Sequence, residues 1–220
     1  MTEWRLHWLE AEGDLQPWHS QIRAEIEATR EIVAHLVAPP RLDILIQRLA
    51  GAVIPEIGLV GHAYRRGLFA LTLDPDNTHF DASLRDGTLR RQVAHEVHHC
   101  LRMAGPGYGT RLGEALVSEG LAGHFVSRLF NTGPEAWERA VDAAALQSYF
   151  PDREALLSTG YDYAAWFFGA GGQRPRWVGY TLGYAIVGRW LEITPEATGA
   201  LLVDVPASEI LSAWPGSGPA

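Results

Sequence analysis

The chain has 220 residues, of which 47% are hydrophobic and 20% charged, a composition typical of soluble globular proteins. The net charge is −8 and the sequence has no run of basic residues, so we predict no nucleic-acid partner. Every one of the 18 basic residues is Arg. The lack of Lys also excludes a Walker-type phosphate loop and Schiff-base chemistry. No apolar run is long enough to cross a membrane, and we predict no membrane partner. The first ten residues lack an apolar segment, so we predict no signal peptide and a cytoplasmic protein. The single cysteine, Cys100, cannot form an internal disulfide, which agrees with that compartment.

The first half of the sequence predicts a small sheet with helices. Trp4, Leu6 and Trp8 alternate with polar residues, which is typical of a strand. Apolar residues at helical spacing predict a helix from Pro17 to about Val37. Three further strands are predicted, at residues 41–47, 56–64 and 68–73.

The second half of the sequence predicts helices. One long helix, which Asp86 or Thr88 caps, ends at the glycine-rich turn 105–109, and a second long helix covers residues 110–130. Shorter helices are predicted at residues 135–147, 152–158, 162–168, 177–192 and 206–214. The Gly-, Ser- and Pro-rich tail after Trp214 is expected to be frayed.

The first long helix contains an H-E-x-x-H motif, His95-Glu96-Val97-His98-His99. Two His residues four positions apart lie on one helical face and can bind one metal ion, and the Glu beside them can act as a general base. With about 100° per residue, this pair points away from the stripe that holds Val97 and Cys100, so Cys100 is predicted to lie in the core. A solvated polar face is the alternative for the two histidines.

The second long helix places Glu119 in the middle of its apolar stripe. A buried carboxylate needs a cation or strong hydrogen-bond donors. A zinc ion held by His95 and His99 would supply the charge. The alternative is an Arg partner, since Arg91 and Arg102 flank the metal-binding face of the first helix.

These segments resemble a known family. The H-E-x-x-H motif, followed after 19 residues by Glu119 within Ser118–Ala122, is similar to the gluzincin zinc peptidases, and most closely to a bacterial family of predicted zinc-dependent proteases. The segment Gly179–Tyr184 resembles that family's later G-Y-x-x-G-Y segment, and the similarity spans roughly residues 40–215. In gluzincins an acidic residue often follows the Glu ligand by one turn. Here that position is Gly123, so another group must orient the histidines.

The resemblance implies an α+β, zincin-like fold in one domain over residues 1–220. An N-terminal lobe of small mixed sheet and helices (about 1–105) and a mainly helical C-terminal lobe (about 106–214) would enclose an active-site cleft. In zincins the last strand before the motif helix often forms the lip of that cleft and binds a peptide as an added strand. Strand 68–73 is apolar on both faces, so an interior strand is the alternative.

Two tyrosines are candidates for the oxyanion of the reaction. Tyr180 and Tyr184 share a helical face, and a hydroxyl beside a metal could stabilise a tetrahedral intermediate. Gly179 and Gly183 would leave room beside the rings. Packing of that helix is an equally good explanation of both tyrosines.

The expected function is hydrolysis of peptide bonds in a peptide or protein substrate with one catalytic Zn²⁺. His95, His99 and Glu119 would bind the metal, and Glu96 would be the general base. Two alternatives are a zinc-binding but catalytically silent regulatory or binding domain, and accidental spacing with no metal. A silent domain would not need Glu96, which favours the enzyme.

Overall fold

The computed structural model describes residues 3–214 and divides the chain into two compact units, Met1–Ala104 and Gly105–Ala220. A small mixed sheet lies in the first unit, and the rest of the described chain is mostly helical, so the class is α+β. The predicted frayed tail lies outside the described residues. Among the helices in residues 3–214, none combines the length and apolar character that a membrane-crossing span needs.

The first unit is built on a four-stranded sheet with the order β1-β2-β4-β3. Its strands are β1 (Trp4–Leu9), β2 (Leu42–Arg48), β3 (Leu59–Arg65) and β4 (Leu68–Leu73). The β1/β2 and β2/β4 pairs are parallel, and β3 pairs antiparallel with β4 across the turn at residues 66 and 67. The strand before the motif helix, β4, therefore lies inside the sheet and is buried on both faces, which explains its unbroken apolar sequence. The interior alternative is correct for this strand, and the edge strand of the hairpin is β3.

Three helices complete the first unit: α1 (His19–Ala34), α2 (Phe80–Ser83) and α3 (Thr88–Ala104). Helix α1 buries one stripe that contains Ile22, Ile26 and Val33, and it packs on α3. Helix α3 carries the H-E-x-x-H motif and also packs against β3 and β4. At its start, a carboxylate oxygen of Asp86 accepts a hydrogen bond from the backbone N–H of Thr88, the first residue of the helix.

The second unit is helical. It contains α4 (Leu112–Phe130), α5 (Ala143–Leu146), α6 (Arg153–Leu157), α7 (Tyr163–Phe168), α8 (Val178–Ile193), α9 (Gly199–Asp204) and α10 (Ala207–Ser212). The single helix predicted over residues 135–147 is wrong, because a 3₁₀ turn at Ala136–Arg139 and the short α5 replace it. The carboxylate of Asp142 accepts hydrogen bonds from the N–H groups of Ala144 and Ala145, so it starts a new helix instead of continuing an old one.

Helices α4 and α8 form the main packing contact of the second unit, and glycines let their backbones touch. A Cβ on Gly120 would lie 2.0 Å from the carbonyl oxygen of Gly183. A Cβ on Gly183 would lie 2.2 Å from the carbonyl oxygen of Leu116, and one on Gly179 would meet the ring of Phe167. The glycines of the segment Gly179–Tyr184 thus accommodate the backbone of α4 and an aromatic ring.

Candidate metal centre

The two motif histidines converge inside the first unit. His95 and His99 lie one turn apart on α3, are only 8% and 5% exposed, and bring their Nε2 atoms to 3.0 Å of each other. Zn–N bonds of about 2.0–2.1 Å at tetrahedral angles place two ligand nitrogens about 3.3 Å apart. The pair therefore has nearly the spacing that one zinc ion requires, and the solvated-face alternative is wrong for both residues.

Glu96 lies against the edge strand of the sheet. Its side chain is buried, and an ideal Cβ on Gly61 of β3 would lie 2.3 Å from its Cγ and 2.5 Å from its Oε1. The carboxylate therefore occupies the space that a side chain at position 61 would fill. Sequence reasoning missed Gly61, although an isolated glycine within a strand is a signal for a close approach.

In the second unit, Glu119 lies on α4 and is 5% exposed, as its place in the apolar stripe predicted. Its Oε1 accepts a hydrogen bond from the hydroxyl of Tyr108 at 2.6 Å and another from the hydroxyl of Tyr163 at 3.3 Å. Burial, and next the negative charge of Glu119, raise the pKa of both tyrosines, so both hydroxyls stay protonated donors at neutral pH. Neither tyrosine was among the residues predicted from sequence.

The two tyrosines predicted for the oxyanion have different surroundings. The ring of Tyr184 stacks on His124 with centroids 3.8 Å apart, and its hydroxyl lies 3.3 Å from Ser127 Oγ. The ring of Tyr180 packs edge-on against Phe167, and its hydroxyl hydrogen-bonds to Tyr163. Tyr180 thus joins the hydroxyl cluster that reaches Glu119. The oxyanion role of either residue stays a prediction.

Glu138 fills the space beside Gly123, one turn after Glu119. A Cβ on Gly123 would lie 2.1 Å from Glu138 Oε1 and 3.0 Å from the ring of Tyr184. Glu138 is buried, and its Oε2 accepts a hydrogen bond from the backbone N–H of Glu135 at 2.7 Å. A carboxylate from the 3₁₀ turn therefore stands where a side chain at position 123 would begin. Periodicity does not predict this contact, because the two residues are fifteen positions apart.

Cys100 next to the histidines is buried, as predicted. Burial, and after it the negative charge of Glu96, raise the pKa of its thiol to about 12. Since zinc binds the thiolate and not the thiol, Cys100 is poorly suited to be a ligand. His98 is fully buried in the same helix. In the second unit, His124 donates a hydrogen bond from Nε2 to the carbonyl oxygen of Tyr184 at 2.9 Å.

Comparison with known proteins gives a family assignment. No curated protein and no solved structure matches the chain. Residues 20–212 match the family described as Predicted Zn-dependent protease (DUF2268). This match covers most of the 220 residues and agrees with the resemblance carried by the H-E-x-x-H motif, Glu119 and the segment Gly179–Tyr184. The chain therefore belongs to this family of predicted zinc-dependent proteases.

Proposed function

We propose that the protein is a zinc-dependent peptidase with a zincin-like fold, in which His95, His99 and Glu119 bind one Zn²⁺. The observation that carries the proposal is the buried pair of imidazole Nε2 atoms 3.0 Å apart, with the buried Glu96 carboxylate on the same helix. The family assignment supports it independently.

The three proposed ligands suit zinc chemically. All three side chains are buried, and each offers one ligand atom of a type that zinc binds. Three protein ligands leave a fourth position, which is the arrangement of catalytic and not of structural zinc sites. The carboxylate also balances part of the ion's charge, which two neutral imidazoles cannot do.

Glu96 is the proposed general base. When bound, zinc polarises the scissile carbonyl and makes a water molecule more acidic. The Glu96 carboxylate takes a proton from the attacking water and then gives it to the leaving amine, so the peptide C–N bond breaks with the nitrogen protonated. Tyr180 or Tyr184 would donate a hydrogen bond to the oxyanion.

The proposed substrate is a peptide or protein segment in extended conformation. Strand β3 is at the edge of the sheet, and Gly61 in it contacts Glu96. An extended peptide can add to such an edge by main-chain hydrogen bonds. This assigns to β3 the role that the sequence suggested for β4.

Replacing Glu96 with Gln tests the proposal, because Gln keeps the shape of the side chain and removes the base. We expect Glu96→Gln to keep about one zinc per chain and the parental thermal midpoint, and to lose peptide hydrolysis by at least about 100-fold. The measurements are zinc content by elemental analysis, thermal unfolding, and cleavage of a substrate found in a peptide library.

His95→Ala is the matched control and should lose both zinc and cleavage. Parental cleavage by Glu96→Gln would refute the role of Glu96. A parent that binds zinc but cleaves no peptide would favour the silent regulatory domain. A parent without zinc would mean that the motif spacing is accidental.

A further inference from the structure

A cluster of tyrosine hydroxyls surrounds one oxygen of Glu119. The hydroxyl of Tyr108 lies 2.6 Å from Glu119 Oε1 but 3.5 Å from the hydroxyl of Tyr163. Each tyrosine has one hydroxyl proton. Because Tyr108 lies closer to the charged carboxylate than to Tyr163, its hydroxyl donates its hydrogen bond to Glu119 Oε1. The hydroxyl of Tyr163 donates a second hydrogen bond to the same Oε1 at 3.3 Å.

Both tyrosines are held in place before any ligand arrives. Tyr108 lies between Gly107 and Gly109, whose φ angles of 90° and 95° form the turn, and its carbonyl oxygen accepts a hydrogen bond from Ser118 Oγ at 2.8 Å. That bond ties the turn to α4 at the residue next to Glu119. A Cβ on Gly109 would lie 2.2 Å from Glu114 Cβ, so only glycine fits this turn.

Tyr163 is fixed by α7. It is the first residue of that helix, whose N-terminus is capped by the Asp162 carboxylate accepting from the N–H of Ala165. Its ring stacks on Phe167 with centroids 4.3 Å apart. A rigid hydroxyl loses little conformational entropy when it orients a neighbouring group.

The geometry has a consequence for how Glu119 can bind a metal. A carboxylate can offer one oxygen or both to an ion. Two hydroxyls already donate hydrogen bonds to Oε1, which lowers the capacity of that oxygen to bind a metal ion as well. Removing the hydroxyls would free Oε1 and allow the carboxylate to rotate.

We propose that Tyr108 and Tyr163 are positioning residues that restrict Glu119 to binding the metal through one oxygen. By fixing this ligand, the two tyrosines would raise the affinity of the protein for the metal. This rests on the proposed function, in which Glu119 is a zinc ligand. Partners of ligands in this position typically contribute about 10- to 100-fold to metal affinity. Tyr108 should contribute more than Tyr163, because its hydrogen bond is shorter.

The test compares Tyr108→Phe and Tyr163→Phe with the control variant Tyr149→Phe. Tyr149 lies in the 3₁₀ helix Gln147–Tyr149, outside the pair of hydroxyls that donate to Glu119. Zinc affinity is measured by competition with a chelator of known affinity. We expect about 10- to 100-fold weaker binding for Tyr108→Phe, a smaller loss for Tyr163→Phe, and parental binding for Tyr149→Phe.

Cobalt provides a readout of the ligand geometry that does not depend on activity. Four-coordinate Co²⁺ absorbs visible light much more strongly than Co²⁺ of higher coordination number. If Glu119 gains a second bond to the ion in Tyr108→Phe, the absorption of the Co²⁺-loaded protein should fall. A purely structural role for Tyr108 would not change the spectrum of the folded, loaded variant.

A folded Tyr108→Phe with parental zinc affinity and a parental cobalt spectrum would overturn the inference. If Tyr108→Phe does not fold, Ser118→Ala replaces it, since this variant releases the Tyr108 carbonyl and leaves all hydroxyls of the tyrosines in place. Parental zinc affinity in Ser118→Ala would then overturn the inference. Full zinc binding by Glu119→Ala would instead refute the proposed ligand set, so the two failures are distinguishable.

Discussion

Replacing Gly61 with Ala should move the proposed general base without changing a metal ligand. The new Cβ would lie 2.3 Å from Glu96 Cγ and 2.5 Å from its Oε1. Favourable contacts between carbon atoms lie at about 3.5–4.0 Å, so the side chain has to move by about 1 Å. Both atoms belong to the flexible side chain of Glu96 and not to the backbone, so rotation of this side chain relieves the clash.

A displacement of this size is large for catalysis and small for folding. Misplacing a catalytic group by about 1 Å can cost about 100-fold in rate. Overpacking costs about 1–3 kcal/mol of unfolding free energy, and replacing Gly by Ala within a strand returns about 0.5–1 kcal/mol. We therefore expect kcat to fall by about 100-fold, with KM changed little, zinc content unchanged, and a modest loss of stability.

The assay is steady-state cleavage of the library-derived peptide, with zinc analysis of the same samples. Gly67→Ala is the matched control in the same hairpin, because a Cβ there meets only the carbonyl oxygen of Arg41 at an ordinary 3.7 Å. If Gly61 acts only through Glu96, Gly61→Ala should cost nothing further in a Glu96→Gln background. Parental kcat in Gly61→Ala, or additive losses in the double variant, would refute this reasoning.

Two further predictions concern stability. Gly120→Ala should lower the unfolding free energy by about 3 kcal/mol, because its Cβ would lie 2.0 Å from a backbone oxygen of α8. Urea titrations measure this loss, and Gly133→Ala, which has open space around the new Cβ, should keep nearly the parental stability. Burial lowers the pKa of His124 below the usual 6.5, so the native state takes up its proton less readily and unfolding free energy should fall as the pH drops below about 6.5. His124→Gln should reduce that slope, and an NMR titration of His124 with a pKa at or above 6.5 would contradict the reasoning.

Periodicity predicted the elements that carry strong patterns. The strands of the first unit and the helices α3 and α4 lie within a few residues of their predicted positions, because alternation and helical stripes are properties of neighbouring residues. The prediction was wrong at residues 135–147, where Asp142 begins a new helix from within an alanine-rich run. Helix α9 (Gly199–Asp204) was not predicted from the sequence.

For the candidate site, too, the sequence predicts residues that lie close together in the chain and misses contacts between distant residues. His95, Glu96 and His99 are found from sequence because one helix brings them together, and the helical period fixes their spacing. Gly61 contacts Glu96 across 35 positions, and Tyr163 contacts Glu119 across 44. Seven tyrosines look alike in the sequence, and only the tertiary fold decides which hydroxyls reach a carboxylate.

Glu119 shows how a correct expectation from sequence can still omit half of the chemistry. Its burial predicted that the carboxylate needs either a cation or strong donors. The second unit supplies donors, the hydroxyls of Tyr108 and Tyr163, and both act on Oε1. The two requirements are compatible because a carboxylate has two oxygens. Hydrogen bonds donated to a carboxylate favour its ionised form, and that is the form that a metal ion binds.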